Sequence, residues 1–188
     1  SSEPGLVAYY DFDTINGTTV VNRVAAGQDA EMGDGGSTPS LNPAILGPAI
    51  TGRALDFQGS SKIISSVDAD VLTDTVTVEA NIRFNSITGE QDLIELASPD
   101  YFPALIVTKI SEFDANNPNE IGLAVYDNSG NVTYLASGIP AEAGSWHHVA
   151  VSYDGATAIL YVDGQATGSL AIAGLSFDSA TAVNLYAG

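Results

Sequence analysis

The sequence predicts an all-β domain, a two-sheet antiparallel β-sandwich with jelly-roll connections. Short segments alternate apolar and polar residues, turn-forming pairs separate these segments, and no window carries the 3.6-residue period of a helix. Because successive side chains of a strand point to opposite faces of its sheet, such alternation buries one face and exposes the other. A chain of 188 residues built from many short strands is typical of one sandwich domain over residues 1–188.

The predicted strands follow one another along nearly the whole chain. Residues 76–84 alternate most clearly, and residues 147–153 follow the same pattern. The other predicted strands are 6–12, 54–57, 62–67, 92–96, 104–109, 121–127, 132–136, 159–162 and 183–186. Asp154-Gly155 and Asp163-Gly164 supply residues that tolerate the positive φ of tight turns. Residues 27–52, rich in Gly, Pro, Ser and Ala, predict a long irregular loop.

Charge and composition exclude several classes of partner. The chain has 23 acidic and 5 basic residues, a formal net charge of −18, which repels nucleic acid and anionic lipid and attracts divalent cations. The absence of cysteine excludes disulfides and thiolate metal sites. No stretch reaches the roughly 18–20 consecutive apolar residues of a membrane span. We therefore expect neither a nucleic-acid partner nor insertion into a membrane.

Several motifs, in order along the chain, resemble those of the laminin-G-like, concanavalin A-like jelly-roll family. Residues 145–155 read S-W-H-H-V-A-V-S-Y-D-G, and residues 160–164 read L-Y-V-D-G. Residues 5–13 read G-L-V-A-Y-Y-D-F-D, residues 52–59 read G-R-A-L-D-F-Q-G, and residues 76–82 read V-T-V-E-A-N-I. The resemblance covers residues 5–188. It implies a non-catalytic, calcium-stabilised binding or adhesion module of a larger protein, secreted or at the cell surface and bacterial, with a glycan or protein ligand.

The resemblance also implies a missing element. Members of the family continue beyond the position of residues 184–188 into a last strand of the type D-E-V-R-I-Y-N-R-A-L, which this sequence does not contain. An unpaired strand edge is a site for strand addition by a peptide. A structural or split fragment, completed by a separate closing-strand peptide, is therefore the alternative function.

The resemblance points to calcium as the cofactor, with Asp11, Asp13, Asn22 and Asp56 as candidate ligands. Calcium requires six to eight oxygen ligands, several of them carboxylates or carbonyls. Asp11 and Asp13 stand two residues apart, so their carboxylates would share one face of a strand. Asn22 matches the place of a family aspartate. The alternative is that Asp13 and Asn22 only end strands.

Residues 90–95 read E-Q-D-L-I-E, which fits the E-x-D-x-x-E signature of a glycoside hydrolase family on the same general fold. Such chemistry needs two carboxyl groups facing one cleft. On a regular strand Glu90 and Glu95 point to opposite faces, so a β-bulge would be needed. Hydrolysis is therefore the less favoured alternative, and we expect no enzyme activity.

The remaining candidate groups are aromatic rings and histidines. Tyr101, Tyr126 and Tyr134 lie near predicted loops, where their rings could stack on a sugar, and they are the predicted ligand-binding residues. His147 and His148 are neighbours on a predicted strand and face opposite sides, so they cannot easily bind one metal ion together. A packed, hydrogen-bonded structural role is expected for His148.

Overall fold

The fold is known from a computed structural model that describes residues 4–25, 27–33, 44–46, 52–57, 62–67, 75–89, 91–98, 103–110, 119–175 and 183–187. These residues form fifteen β-strands and no helix, so none of them belongs to a helix that could cross a membrane. The strands are β1 (Ile15–Asn16), β2 (Thr19–Val20), β3 (Ala30–Met32), β4 (Ala44–Leu46), β5 (Ala54–Asp56), β6 (Ile63–Val67), β7 (Val76–Arg83), β8 (Gln91–Ala97), β9 (Ala104–Ile110), β10 (Glu120–Tyr126), β11 (Val132–Pro140), β12 (Trp146–Tyr153), β13 (Thr157–Val162), β14 (Gln165–Ala171) and β15 (Val183–Ala187).

Two antiparallel sheets face each other. The large sheet has nine strands in the order β1-β2-β3-β6-β15-β8-β9-β10-β11, and the small sheet has four in the order β14-β13-β12-β7. Strands β4 and β5 form a separate pair. The small sheet packs over one half of the large sheet, with β7 on β8, β12 on β9, β13 on β10 and β14 on β11. The predicted all-β, two-sheet sandwich is confirmed.

The central core fills the space between the small sheet and strands β8–β11. Its buried members come from the apolar positions of the alternating segments: Phe84, Ile94, Leu96, Leu105, Val107, Ile121, Leu123, Val125, Ala141, Val149, Val151, Tyr153, Ala158, Leu160, Val162 and Leu175. Burial of each large aliphatic side chain contributes roughly 1.5–3 kcal/mol. This interface is therefore the main contact between the sheets.

A second group of apolar side chains, the side core, covers the inner face of the large sheet beyond β15. Its buried members are Val20, Ala30, Met32, Leu55 and Ile63, and the rings of Tyr10, Phe12 and Phe57 pack against them. The side core joins the β4–β5 pair and the N-terminal segment to the large sheet. No strand of the small sheet contributes to it among the described residues.

Two local predictions are wrong. Residues 6–12 do not form a strand, and Phe12 has a positive φ of 59°, a value incompatible with a continuing strand. The predicted irregular loop over residues 27–52 contains two strands, because β3 pairs with β2 and β6 while β4 pairs with β5. In both cases pairing with distant segments, which the local composition does not reveal, decides the conformation.

Candidate functional site

The outer face of the large sheet, on the side away from the small sheet, carries two of the three predicted ligand-binding tyrosines. Ile106 lies opposite Ala124, and Ala124 lies opposite Tyr134 on the next strand. Tyr126 lies two residues along from Ala124 and therefore faces the same way. Both rings are half-buried and pack on a small apolar cluster of Ala97, Ala104, Ile106 and Ala124. Tyr101 lies outside the described residues.

A β-bulge in β8 brings two carboxylates to this outer face. Asp92 pairs with Thr108, but Ile94 pairs with Val107, so Leu93 is an extra residue in the ladder. The bulge reverses the alternation, and Asp92 and Glu95 come to lie on the same face. The sequence alone favours a regular strand with alternate orientations. The bulge that the E-x-D-x-x-E string requires is present, although Glu90 lies outside the described residues.

The environment of Glu95 makes it the carboxyl group on this face that most readily holds a proton. Its pKa is raised, chiefly because partial burial penalises the charged form, and further because the Asp92 carboxylate lies nearby. Lys62 opposes this effect as the neighbouring positive charge. The outer face therefore combines two aromatic rings, an exposed carboxylate at Asp92 and a partly buried carboxyl group at Glu95 whose pKa is raised.

The first two predicted calcium ligands, Asp11 and Asp13, do not share a strand face. Phe12 between them has φ 59°, and the backbone N–H of Asp13 donates to Asp11 Oδ1 at 3.1 Å. Asp11 Oδ2 also forms an ion pair with Arg23 Nε at 2.7 Å. Asp13 Oδ1 accepts the N–H of Arg53 at 3.0 Å. The turn at Phe12 ties the backbone of Asp13 to the Asp11 carboxylate, so the expectation that the two residues share a strand face is wrong.

Asn22 acts as a brace between backbone segments. Its side chain is buried, and Oδ1 accepts the N–H groups of Tyr9 at 3.0 Å and Val24 at 2.9 Å. Its Nδ2 donates to the carbonyl of Gln28 at 2.9 Å. A neutral amide suits this position, since it both accepts and donates, whereas a carboxylate would face the Gln28 carbonyl without a proton to share.

Asp56 lies in β5 and accepts a hydrogen bond from Asn85 Nδ2 at 2.6 Å. Within the described ranges, no group of three or more aspartate, glutamate or histidine side chains is placed to hold a metal ion. Asp11, Asp13 and Asp56 therefore do not form such a group with one another or with other acidic side chains of the described residues. Bound calcium stays a prediction.

The two histidines occupy opposite faces of β12, as the sequence indicates. His147 Nδ1 lies 2.9 Å from Asp163 Oδ2, and the backbone N–H of His148 donates to Asp163 Oδ1 at 2.9 Å. These two hydrogen bonds, that of His147 first, lower the pKa of Asp163. His148 faces Glu79 at 3.4 Å. Both histidines therefore connect strands of the small sheet and lie away from the outer face of the large sheet.

We expect Glu95→Gln to change the pH dependence of stability. Since the pKa of Glu95 is raised above its ordinary value of 4.5, the folded state binds this proton more tightly, and the contribution to stability is lost as pH rises through the folded pKa. The melting temperature of the variant, relative to the parent, should therefore increase as the pH rises from 4.5 through the folded pKa of Glu95. The exposed Glu142→Gln is the control and should show no such trend. A constant difference for Glu95→Gln would contradict the assigned environment.

Comparisons with known proteins agree with this architecture. The sequence profile of the concanavalin A-like lectin/glucanases superfamily, in its laminin-G form, matches residues 57–188. Domain 4 of AbnA, a GH43 extracellular arabinanase from Geobacillus stearothermophilus solved in complex with arabinotriose, is similar with a TM-score of 0.73 and 18% identity, over 95% of this chain and 81% of that chain. The apo Crh5 transglycosylase is similar with a TM-score of 0.55 and 16% identity, over 97% of this chain and 68% of that chain.

A third similar structure is the enzymatically active domain of bacteriophage CBA120 tailspike protein 2, with a TM-score of 0.54 and 15% identity, over 76% of this chain and 24% of that chain. No curated protein sequence matches this chain significantly. The structural likenesses, all at low identity, describe the fold alone, whereas the profile match spans more than half of the chain. The chain therefore belongs to the laminin-G-like family of the concanavalin A-like lectin/glucanases superfamily.

Proposed function

We propose that this domain is a non-catalytic glycan-binding module of an extracellular protein, with its binding site on the outer face of the large sheet. The observation that carries the proposal is the position of Tyr126 of β10 and Tyr134 of β11 on the same face of the large sheet as the carboxyl groups of Asp92 and Glu95 of β8. Aromatic rings stack on the apolar faces of sugars, and a few polar groups fix the orientation of the hydroxyls.

Two further facts support this assignment. Domain 4 of AbnA, which has the same fold, was solved in complex with arabinotriose and belongs to an extracellular arabinanase. The net charge of −18 favours a neutral glycan over an acidic one, because an acidic sugar would meet like charge. A peptide ligand, the other partner class that the sequence predicts, would require a different surface.

We expect Tyr134→Ala and Tyr126→Ala each to weaken glycan binding about tenfold or more, since truncation of a central aromatic contact costs upwards of 1–2 kcal/mol. Titration calorimetry with arabinotriose and with neutral glucan and xylan oligosaccharides measures the affinity. Tyr161→Ala is the matched control, because Tyr161 is a half-buried tyrosine of the small sheet.

The control distinguishes loss of a site from loss of structure. Tyr161→Ala should leave the affinity within twofold of the parent, and all three variants should keep a cooperative melting transition. Equal affinity in the parent and both outer-face variants would refute the site. Binding of none of the oligosaccharides by the parent would refute the function.

A second candidate function is cleavage or transfer of a glycosidic bond at the same face. The bulge at Leu93 favours it, because Asp92 and Glu95 now share a face and the raised pKa of Glu95 suits a general acid. In this function Glu95 would donate its proton to the glycosidic oxygen as its bond to the anomeric carbon breaks, and a second carboxylate would bond to that carbon. Water, or the hydroxyl of an acceptor sugar, would then displace the carboxylate and release the glycosyl group.

Turnover distinguishes the two functions. If the domain cleaves glycans, release of reducing ends from polymeric substrates should fall at least about a hundredfold in Glu95→Gln, the typical contribution of a general acid. The binding affinity for the same oligosaccharides should change far less. Absence of product from the parent, at saturating glycan, would leave the non-catalytic module as the function and exclude cleavage of those substrates.

We also propose calcium as a structural staple near the N-terminal turn. The backbone N–H of Asp13 donates to Asp11 Oδ1 there, and Gly52 allows the Asp13 carboxylate to approach closely, since a Cβ at Gly52 would stand 2.9 Å from Asp13 Cγ. The excess of acidic residues raises the local concentration of divalent cations. These facts support the proposal without supplying the full set of six to eight ligands that calcium requires.

Calcium at about 10 mM should raise the melting temperature by roughly 3–10 °C, the shift expected for an extracellular site with a Kd of about 0.1–1 mM. A chelator should reverse the shift. Asp13→Asn should abolish it, whereas Glu142→Gln, the exposed control, should retain it. An unchanged melting temperature in calcium and in the chelator would contradict the staple.

A further inference from the structure

The hairpin between β1 and β2 joins an asparagine directly to a glycine. Asn16 is the last residue of β1, and the two-residue turn of Gly17 and Thr18 leads into β2. No other asparagine of the sequence is followed by glycine. Gly17 has a positive φ of 66° and Thr18 does not, which matches a type II′ turn with glycine at its first central position. The turn therefore favours the residue without a side chain directly after Asn16.

Both residues of this pair are open to solvent. Asn16 and Gly17 are exposed, and a Cβ at Gly17 would meet no atom within 4 Å. Within the described ranges, neither the Asn16 side chain nor the backbone N–H of Gly17 forms a hydrogen bond. The described fold therefore leaves the side-chain amide unheld and the next backbone nitrogen uncovered.

An asparagine side chain in this setting can react with its own backbone. The backbone nitrogen of Gly17 attacks Cγ of Asn16, and the new N–Cγ bond closes a five-membered succinimide ring. The bond from Cγ to Nδ2 breaks, and ammonia leaves with the proton of the Gly17 nitrogen. Water then opens the ring at one of its two carbonyl groups. Attack at the side-chain carbonyl gives aspartate, and attack at the main-chain carbonyl gives isoaspartate.

The place of the hairpin in the sheet permits the motion that this reaction needs. In an extended strand the nitrogen of the next residue is rotated away from the side chain, so Asn16 must leave its strand conformation before the ring can close. Strand β1 is the outermost strand of the large sheet and pairs with β2 at two positions, Ile15 with Val20 and Asn16 with Thr19. So short an edge pairing opens at low free energy.

Other asparagines at hairpins of this fold are held by hydrogen bonds. Asn131 is the best comparison, because it is also exposed, but its Nδ2 donates to Asp127 Oδ2 at 2.8 Å and the branched Val132 follows it. Asn128 Nδ2 donates to the carbonyl of Gly174 at 2.7 Å. These two asparagines therefore serve as internal controls for Asn16.

Isoaspartate at this position would disturb the side core. It carries the main chain through its Cβ and so adds one backbone atom between Ile15 and Gly17, which breaks the register of Ile15 with Val20. Val20 is 0% exposed within the side core, and it also pairs with Ala30 of β3. The central core is built on β8–β11 and the small sheet, so the change would not reach it.

We propose that Asn16 is a site of spontaneous deamidation, and that its conversion to isoaspartate loosens the side core while the central core stays intact. The reaction consumes one water and releases one ammonia, and it needs no enzyme and no oxidant. It is a chemical change of the folded chain that refolding does not reverse. The inference is independent of glycan binding, which would use the outer face of β8–β11.

The test incubates the chain of 188 residues in mildly alkaline buffer, where the Gly17 nitrogen loses its proton more readily, and follows its tryptic peptides by mass spectrometry. The peptide of residues 1–23 contains Asn16 together with the buried Asn22. We expect Asn16 alone to exchange its NH₂ group for OH, mostly as isoaspartate, and to do so more slowly in mildly acidic buffer. Fragmentation assigns the position, and an isoaspartyl methyltransferase labels the isoaspartate fraction.

Three variants separate the chemistry from its structural effect. Gly17→Asn keeps a residue type that tolerates positive φ but places a side chain beside the attacking nitrogen, so the conversion should be lost. Asn16→Gln cannot close a five-membered ring and should keep its amide. Freshly prepared Asn16→Asp adds the charge without lengthening the chain and should melt close to the parent. The isoaspartate fraction should melt at a lower temperature and exchange the amide hydrogens of β2 and β3 faster.

Three results would overturn the proposal. The first is an Asn16 amide that persists in the folded chain under conditions that convert a peptide of residues 13–20. The second is conversion of Asn22, Asn128 or Asn131 as readily as Asn16, which would remove the structural selection. The third is an isoaspartate fraction with the melting temperature and amide exchange of the parent. None of these outcomes affects the test of glycan binding.

Discussion

The packing of the small sheet on strands β8–β11 is the constraint on which the rest of the structure depends. It fixes, for every strand that takes part, which alternate side chains lie inside and which lie outside. The central core contains Leu105 and Val107 of β9 and Leu123 of β10. Their chain neighbours Ile106 and Ala124 must therefore face outward. The outer face is thus specified by the core, because a strand cannot bury one row without presenting the other.

The bulge at Leu93 is the local exception that gives the outer face its chemistry. A single extra residue in β8 reverses the alternation, so that Asp92 and Glu95, three positions apart, share a side. Their proximity, together with partial burial, raises the pKa of Glu95. This carboxyl group lies on the same face as Tyr126 and Tyr134, two and three strands away, so a backbone irregularity adds a polar group to the proposed glycan-binding face.

Outside the central core, hydrogen bonds of polar side chains connect segments that are distant in sequence. The buried Asn22 side chain hydrogen-bonds the backbone of Tyr9, Val24 and Gln28. The carboxylate of Asp163, directly after β13, binds His147 and His148 of the neighbouring strand β12. The N-terminal segment is held by such hydrogen bonds and by Tyr10 and Phe12 in the side core. Among the described residues it does not extend the small sheet, whose last strand on that side is β7.

Alternation, turn residues and ordered motifs were sufficient to determine from sequence the strands β7 to β13, the sandwich and the family, because burial of one face imposes a period of two on the residues themselves. The sequence also placed His147 and His148 on opposite faces. It could not place Asp92 beside Glu95, since nothing in the string marks Leu93 as the extra residue. It took residues 6–12 for a strand and gave no sign that Asn22 hydrogen-bonds the backbone of Tyr9, Val24 and Gln28, because distant partners set both conformations. Side-chain periodicity is a property of the chain, whereas the register of one strand on another, and the partner that a polar atom finds, exist only after the sheets have formed.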